Sequence, residues 1–269
     1  MAWSNAPLTR GEVESLTNVW RARGLVPVLI AVASAFAAWA LLLPVVPTAV
    51  IDADQPASLA GLSTGVFMLA TVITQVFVPK ALKTVGYRWV IAVASLLLGI
   101  PALGYMIGME PAPLLTVSAI RGVGFGALSV AEAAIVAELV PLRLLGSATG
   151  IFGVVVGLAQ MVALPSGLAL VDVIGYNAVY IIATAIGAVS LAACFAIPTI
   201  PTPEPDAETA QSVRVPMWHL ALVPALALMF VTTAYGAVTN FLPVSMRELD
   251  PVSGCLLYTS DAADDMQCV

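Results

Sequence analysis

The chain has 269 residues, 60% of them hydrophobic and only 10% charged, with a formal net charge of −6. Its mean hydropathy is +1.01, and soluble domains carry about 25% charged residues, so composition points to a polytopic membrane protein. One histidine and three cysteines without ligand spacing leave no zinc centre, disulfide framework or other cofactor to expect, and acids confined to loops, a linker and the C-terminus give no nucleic-acid surface.

Residues 1–24 are polar and end in Arg21 and Arg23, as a cytoplasmic N-terminal segment would. Ala33-Ser34-Ala35 has the form of a signal-peptidase site, yet the apolar run continues to Val50. That is too long for a cleaved signal peptide, so an uncleaved first span is expected. Further spans are expected at 57–78, 89–109, 113–137, 147–171, 177–197 and 217–242, each near the roughly 20 residues that cross a bilayer. Six of the seven make up a transmembrane domain over 25–197. A solvated cytoplasmic linker over 198–216, rich in Pro, Asp and Glu, separates them from a seventh helix over 217–246.

Eight of the ten basic residues fall on one side: Arg10, Arg21, Arg23, Lys80, Lys83, Arg88, Arg143 and Arg214. The positive-inside rule then places the N-terminus in the cytoplasm, with the cytoplasmic membrane as the location. Internal repetition is also present: Val85-Gly86-Tyr87, entering span 3, is echoed by Ile174-Gly175-Tyr176, entering span 6. Three crossings separate the copies, so they lie on opposite faces, as in the inverted repeats of transporters.

The fourth span holds Arg121 and Glu132 inside its apolar length, where an ionisable side chain costs about 2.5–3.5 kcal/mol on insertion scales. Eleven residues apart, they share a helix face at about 16 Å along the axis and cannot touch. Arg121 can attract an anionic substrate group or hold a proton-cycling carboxylate; alternatively it is locked in a structural pair. Glu132 can be a proton site or a cytoplasmic gate, or it can snorkel to the interface. Trp39 lies mid-membrane and is expected either to line the substrate path or to pack against span 4. Gln75, Gln160, Tyr235 and Asn240 are further intramembrane polar groups, with Tyr235 and Asn240 as additional substrate candidates. Arg88, Glu138 and Arg143 are candidates for a cytoplasmic gate built on ion pairs. Gly122 and Gly126, and the stripe Gly146, Gly150, Gly153 and Gly157, are expected to let helices approach closely.

The span order, the basic loop after span 2, the Arg-Gly-rich fourth span, the Pro-x-Arg-x-x-Gly turn at 141–146 and the break after six spans resemble the major facilitator superfamily. Of that family's loop pattern Gly-x-x-x-Asp-x-x-Gly-Arg-Lys the chain keeps Gly86 and a displaced Arg88; Pro79 and Lys83 replace the leading Gly and the Asp. Arg121 matches the family's span-4 arginine, while Gly124 and Gly126 fall one position early. Gly157 is followed by Leu158, so the Gly-Pro pair of the drug-antiporter branch is absent. The resemblance implies an all-α integral membrane fold, two inverted three-helix repeats plus a seventh helix. It implies a secondary transporter of a small-molecule solute, with protons as a candidate coupling ion and membrane lipid as its surroundings. The tail over 255–264 resembles a translated library adapter, so 255–269 is expected to be non-native and the frame truncated, with a C-terminal half belonging to the full-length protein. The alternatives are a non-transporting receptor or assembly factor, or an inactive fragment. An enzyme is not expected, because paired acids, a Ser/His dyad and His/Cys ligands are all missing.

Overall fold

A computed structural model describes residues 10–198 and four further positions, Leu222, Leu226, Met229 and Phe230. The chain divides into two units, Met1–Thr202 and Pro203–Val269. Of the second, only those four helical positions are described. The linker, most of the seventh span, His219, Tyr235, Asn240, Cys255, Cys268 and the tail lie outside the described residues.

Six helices of membrane-crossing length and composition make up the first unit. They are α1 (Leu25–Asp52), α2 (Ala57–Val85), α3 (Tyr87–Gly99, continued as a 3-10 turn over Ile100–Met106), α4 (Pro111–Glu138), α5 (Leu142–Ile174) and α6 (Tyr176–Cys194). A backbone in hydrocarbon must satisfy its own hydrogen bonds, which is why apolar stretches of this length fold as helices. α2 and α5 run past the expected ends at 78 and 171. Lys80 and Lys83 end the apolar window, yet long basic side chains on a helix can carry their charge to the interface without breaking the backbone ladder.

Gly86 and Gly175 turn the chain into α3 and α6 at φ +87° and +80°, with ψ of 160° and 165°. That region is essentially reserved for glycine, so the repeated Val/Ile-Gly-Tyr sequence encodes the same turn twice. The packing repeats as well. α2 lies along α4 as α5 lies along α1; α1 meets α6 as α4 meets α3; and α3 meets α6 across the centre of the unit. Exchanging the first three helices for the last three leaves this pattern unchanged. At the central crossing Gly99 and Gly187 touch backbone to backbone, and the buried hydroxyls of Ser95 and Ser190 bond at 2.9 Å. The symmetry extends to the helix ends. Tyr176 of α6 donates to Asp52, the last residue of α1, while Tyr87 of α3 stands within electrostatic reach of Glu138, the last residue of α4.

α1 is the most enclosed helix and α5 the least; only Ala148, Ala163 and Gly167 of α5 are buried within the unit. Val154, Leu158, Met161 and Val162 of α5 and Leu69, Val72, Val76 and Phe77 of α2 face outward. Outward apolar side chains suit a surface in contact with lipid tails.

Candidate functional site

Three glycines set the position of α4. A Cβ on Gly122 or Gly126 would run into the α2 backbone at Phe67 and Thr71, and one on Gly124 would sit 2.6 Å from the Leu98 nitrogen of α3. α4 therefore wedges between α2 and α3 at backbone contact, as small residues permit. The Thr71 hydroxyl donates across the first contact to the Gly122 carbonyl at 3.0 Å, and Gln75 donates to Ser129 at 3.1 Å one turn further on. Gln160 bonds within its own helix, to the Val156 carbonyl.

That wedge delivers Arg121 to the middle of the unit, where it is 3% exposed. Its Nε donates to the Leu98 carbonyl of α3 at 3.1 Å, and Nη2 reaches the Ala38 carbonyl of α1 at 3.5 Å. The Leu98 carbonyl meets little competition, because the ladder changes to 3-10 pitch at Ile100 and the residue three ahead, Pro101, has no N–H. The guanidinium carbon lies 5.6 Å from the Tyr105 ring centroid and 5.9 Å from that of Phe67, within cation–π range. No described carboxylate pairs with it. Its charge is balanced by carbonyl dipoles and ring faces, each weaker than an anion.

Arg121 opens on a narrow cleft with about 30 Å³ of water-accessible space, partly open to the exterior. Trp39, Phe67 and Tyr105 supply aromatic walls, Leu42 and Val46 aliphatic ones, and Ser63, Thr64 and Ser118 hydroxyls. Trp39 stacks on Phe125 with ring centroids 4.5 Å apart and an interplanar angle of 18°, and Phe36 meets Phe125 edge-on at 5.4 Å. Phe125 is one turn past Arg121, so this aromatic layer from α1, α2 and α4 stands between Arg121 and Glu132.

Glu132 lies beyond the layer, 0% exposed, and neither carboxylate oxygen has a hydrogen-bond partner among the described residues. Its α4 neighbours Leu128, Ala131, Ile135 and Val136 are themselves buried apolar residues. An unpaired anion there would cost several kcal/mol.

The three gate candidates form no ion pair with one another among the described residues. Arg88 donates to the Phe195 carbonyl at 2.9 Å and stacks over the Phe195 ring. Arg143 donates to the Glu14 and Leu16 carbonyls, tying the N-terminal segment to the start of α5. Glu138 faces Tyr87. No described atom lies within 4 Å of a Cβ placed on Gly146, Gly150, Gly153 or Gly157, so their stripe is open within the unit.

Phe36, Phe67, Tyr105 and Ser118 join the cleft or its aromatic layer from four spans, and no spacing in the sequence singles them out. Ser118 sits three residues before Arg121 on the same face, the one signal that could have found it. Its hydroxyl bonds to Tyr105 at 3.1 Å.

A bundle of six membrane-length helices closed around a buried arginine is the architecture of a multi-pass membrane protein. The profile of the Major Facilitator Superfamily matches residues 28–259, and the chain belongs to that superfamily of transporters. No curated protein matches the chain.

Proposed function

We propose that this transporter moves a small solute across the cytoplasmic membrane by alternating access, coupled to protons, with the N-terminus in the cytoplasm. Arg121 is the solute contact and Glu132 the proton carrier. The observation that carries this reading is that one helix of membrane-crossing length buries both groups inside the bundle, the arginine without a carboxylate and the carboxyl without a hydrogen-bond partner among the described residues. Ionisable groups at such depth carry an insertion penalty, and neither recovers it through an ion pair. Trp39 and the aromatic layer separate solute from proton site, so that release of the proton requires the layer to shift.

The test uses proteoliposomes and a panel of radiolabelled organic acids, sugars, amino acids and amines. Solute exchange without a gradient and accumulation under an imposed pH gradient are measured side by side. Arg121→Gln is expected to abolish both. Glu132→Gln is expected to keep exchange and lose accumulation. Accumulation at the wild-type level in Glu132→Gln would remove the proton role, and wild-type exchange in Arg121→Gln would remove the solute role.

A further inference from the structure

The cleft beside Arg121 is unbalanced in its hydrogen bonding. A guanidinium has five N–H donors; among the described residues Arg121 uses one on Leu98 and one on Ala38, leaving three. Trp39 lines the same cleft, and its indole Nε1, donor only, is buried without an acceptor among the described residues. The hydroxyls offset this only in part: Ser63 donates to the Ala60 carbonyl in its own helix, Ser118 and Tyr105 share one hydrogen bond, and Thr64 also lines the cleft, so none of them supplies a negative charge. No Asp or Glu is among the described residues lining the cleft. A positive charge and spare donors remain, and a ligand must bring the acceptors.

The other walls decide the rest of the ligand. Leu42, Val46, Pro47 and Phe67 present carbon surface, which rewards an apolar body. The cleft holds only about 30 Å³ of water-accessible space, far below the roughly 300–1,000 Å³ typical of ligand pockets, so a solute must have a small body and its entry must widen the cleft. A guanidinium binds a carboxylate through two parallel N–H donors, and a sugar or an amine offers no such match.

We propose that the solute of this site is a small monocarboxylate with an apolar or aromatic body, its carboxylate on Arg121 and its body against Trp39 and Phe67. This rests on the transport reading above and narrows it. A cationic solute is disfavoured by the unpaired arginine, and a dianion by the lack of a second cation among the described residues lining the cleft.

The test is binding by the full chain in detergent, read as ligand-dependent thermal stabilisation, with benzoate, benzamide and benzylamine. The three share a ring and differ in charge. Benzoate is expected to stabilise saturably, and the neutral and cationic analogues much less. Charge-assisted hydrogen bonds are lost in Arg121→Gln, so benzoate should bind about ten- to a hundredfold more weakly there. Trp39→Phe, which keeps the aromatic body and removes the indole N–H, should weaken benzoate about threefold to tenfold. Should Arg121→Gln fail to fold, the wild-type ranking and Trp39→Phe still decide. Benzamide or benzylamine matching benzoate would overturn the assignment, as would undiminished benzoate binding in Arg121→Gln. The solute panel separates the two readings: Arg121-dependent exchange of a sugar or amine, with no benzoate binding, would sink the monocarboxylate and leave transport standing. Arg121-dependent benzoate binding with no exchange of any solute would do the reverse.

Discussion

Replacing Gly122 by alanine tests the wedge that positions the site. The new Cβ would meet the Phe67 carbonyl oxygen at far less than contact distance, the Ala70 Cβ at 2.9 Å and the Phe67 carbonyl carbon at 3.1 Å. Two of those three atoms belong to the α2 backbone, so no side-chain rotation relieves the clash and α2 must move away from α4. Overpacking of this kind costs about 1–3 kcal/mol, against a gain in helix propensity of up to about 1 kcal/mol for Gly→Ala. With backbone as the obstacle the clash sits at the upper end, and a net loss near 2 kcal/mol corresponds to a fall in Tm of roughly 4–8 °C for a unit of this size. Gly65→Ala is the control, since no described atom lies within 4 Å of a Cβ there; it keeps the propensity gain and meets no clash among the described residues. Thermal unfolding in detergent, followed by size-exclusion of the fraction that stays monodisperse, reads both. A Gly122→Ala protein as stable as wild type, or one shifted no more than Gly65→Ala, would refute the close approach of α4 to α2.

Other outcomes follow from the same geometry. Gly86→Ala and Gly175→Ala both force a side chain into a glycine-only region, so each should lose about 1–3 kcal/mol, and similar losses in thermal melts would check that the two turns are equivalent. Removing either hydroxyl of the Ser95–Ser190 pair strands its mate; each alanine should cost about 0.5–2 kcal/mol and the double mutant less than the sum, as a double-mutant cycle will show. Glu132→Leu exchanges an unpartnered buried carboxyl for carbon of similar size. A buried polar group left without a partner costs about 1–3 kcal/mol, so the melt should hold or rise while pH-driven accumulation is lost. A fall in Tm with transport intact would contradict that.

The spans were legible because hydrophobic length is a one-dimensional signal, and Arg121 and Glu132 stood out because charge inside such a length is costly. The inverted repeat was legible at Gly86 and Gly175, where backbone geometry admits only one residue type and so leaves a mark in the sequence. What could not be read was partnership. That the Leu98 carbonyl receives Arg121 depends on Pro101 and a change of helical pitch in another span. Likewise, Phe36, Phe67 and Phe125 are ordinary apolar residues until three helices converge. Ion pairing among Arg88, Glu138 and Arg143 was expected from charge alone, whereas the structure gives both arginines backbone carbonyls that sequence spacing does not reveal. Helix ends were misjudged at Lys80 and Lys83 because hydropathy reports where the apolar window stops and is silent on the backbone.

The most direct measurement is solute-driven proton flux through the reconstituted protein, followed with a pH-sensitive dye trapped inside liposomes. Benzoate crosses bilayers as the free acid, so protein-free liposomes set the baseline and an impermeant carboxylate from the panel is run beside it. With Arg121 as the solute contact and Glu132 as the proton carrier, an inward solute gradient should change the lumenal pH beyond that baseline in the wild type. The flux should vanish in Glu132→Gln while solute exchange continues. An undiminished proton flux in Glu132→Gln would contradict the coupling of solute to proton through the fourth helix.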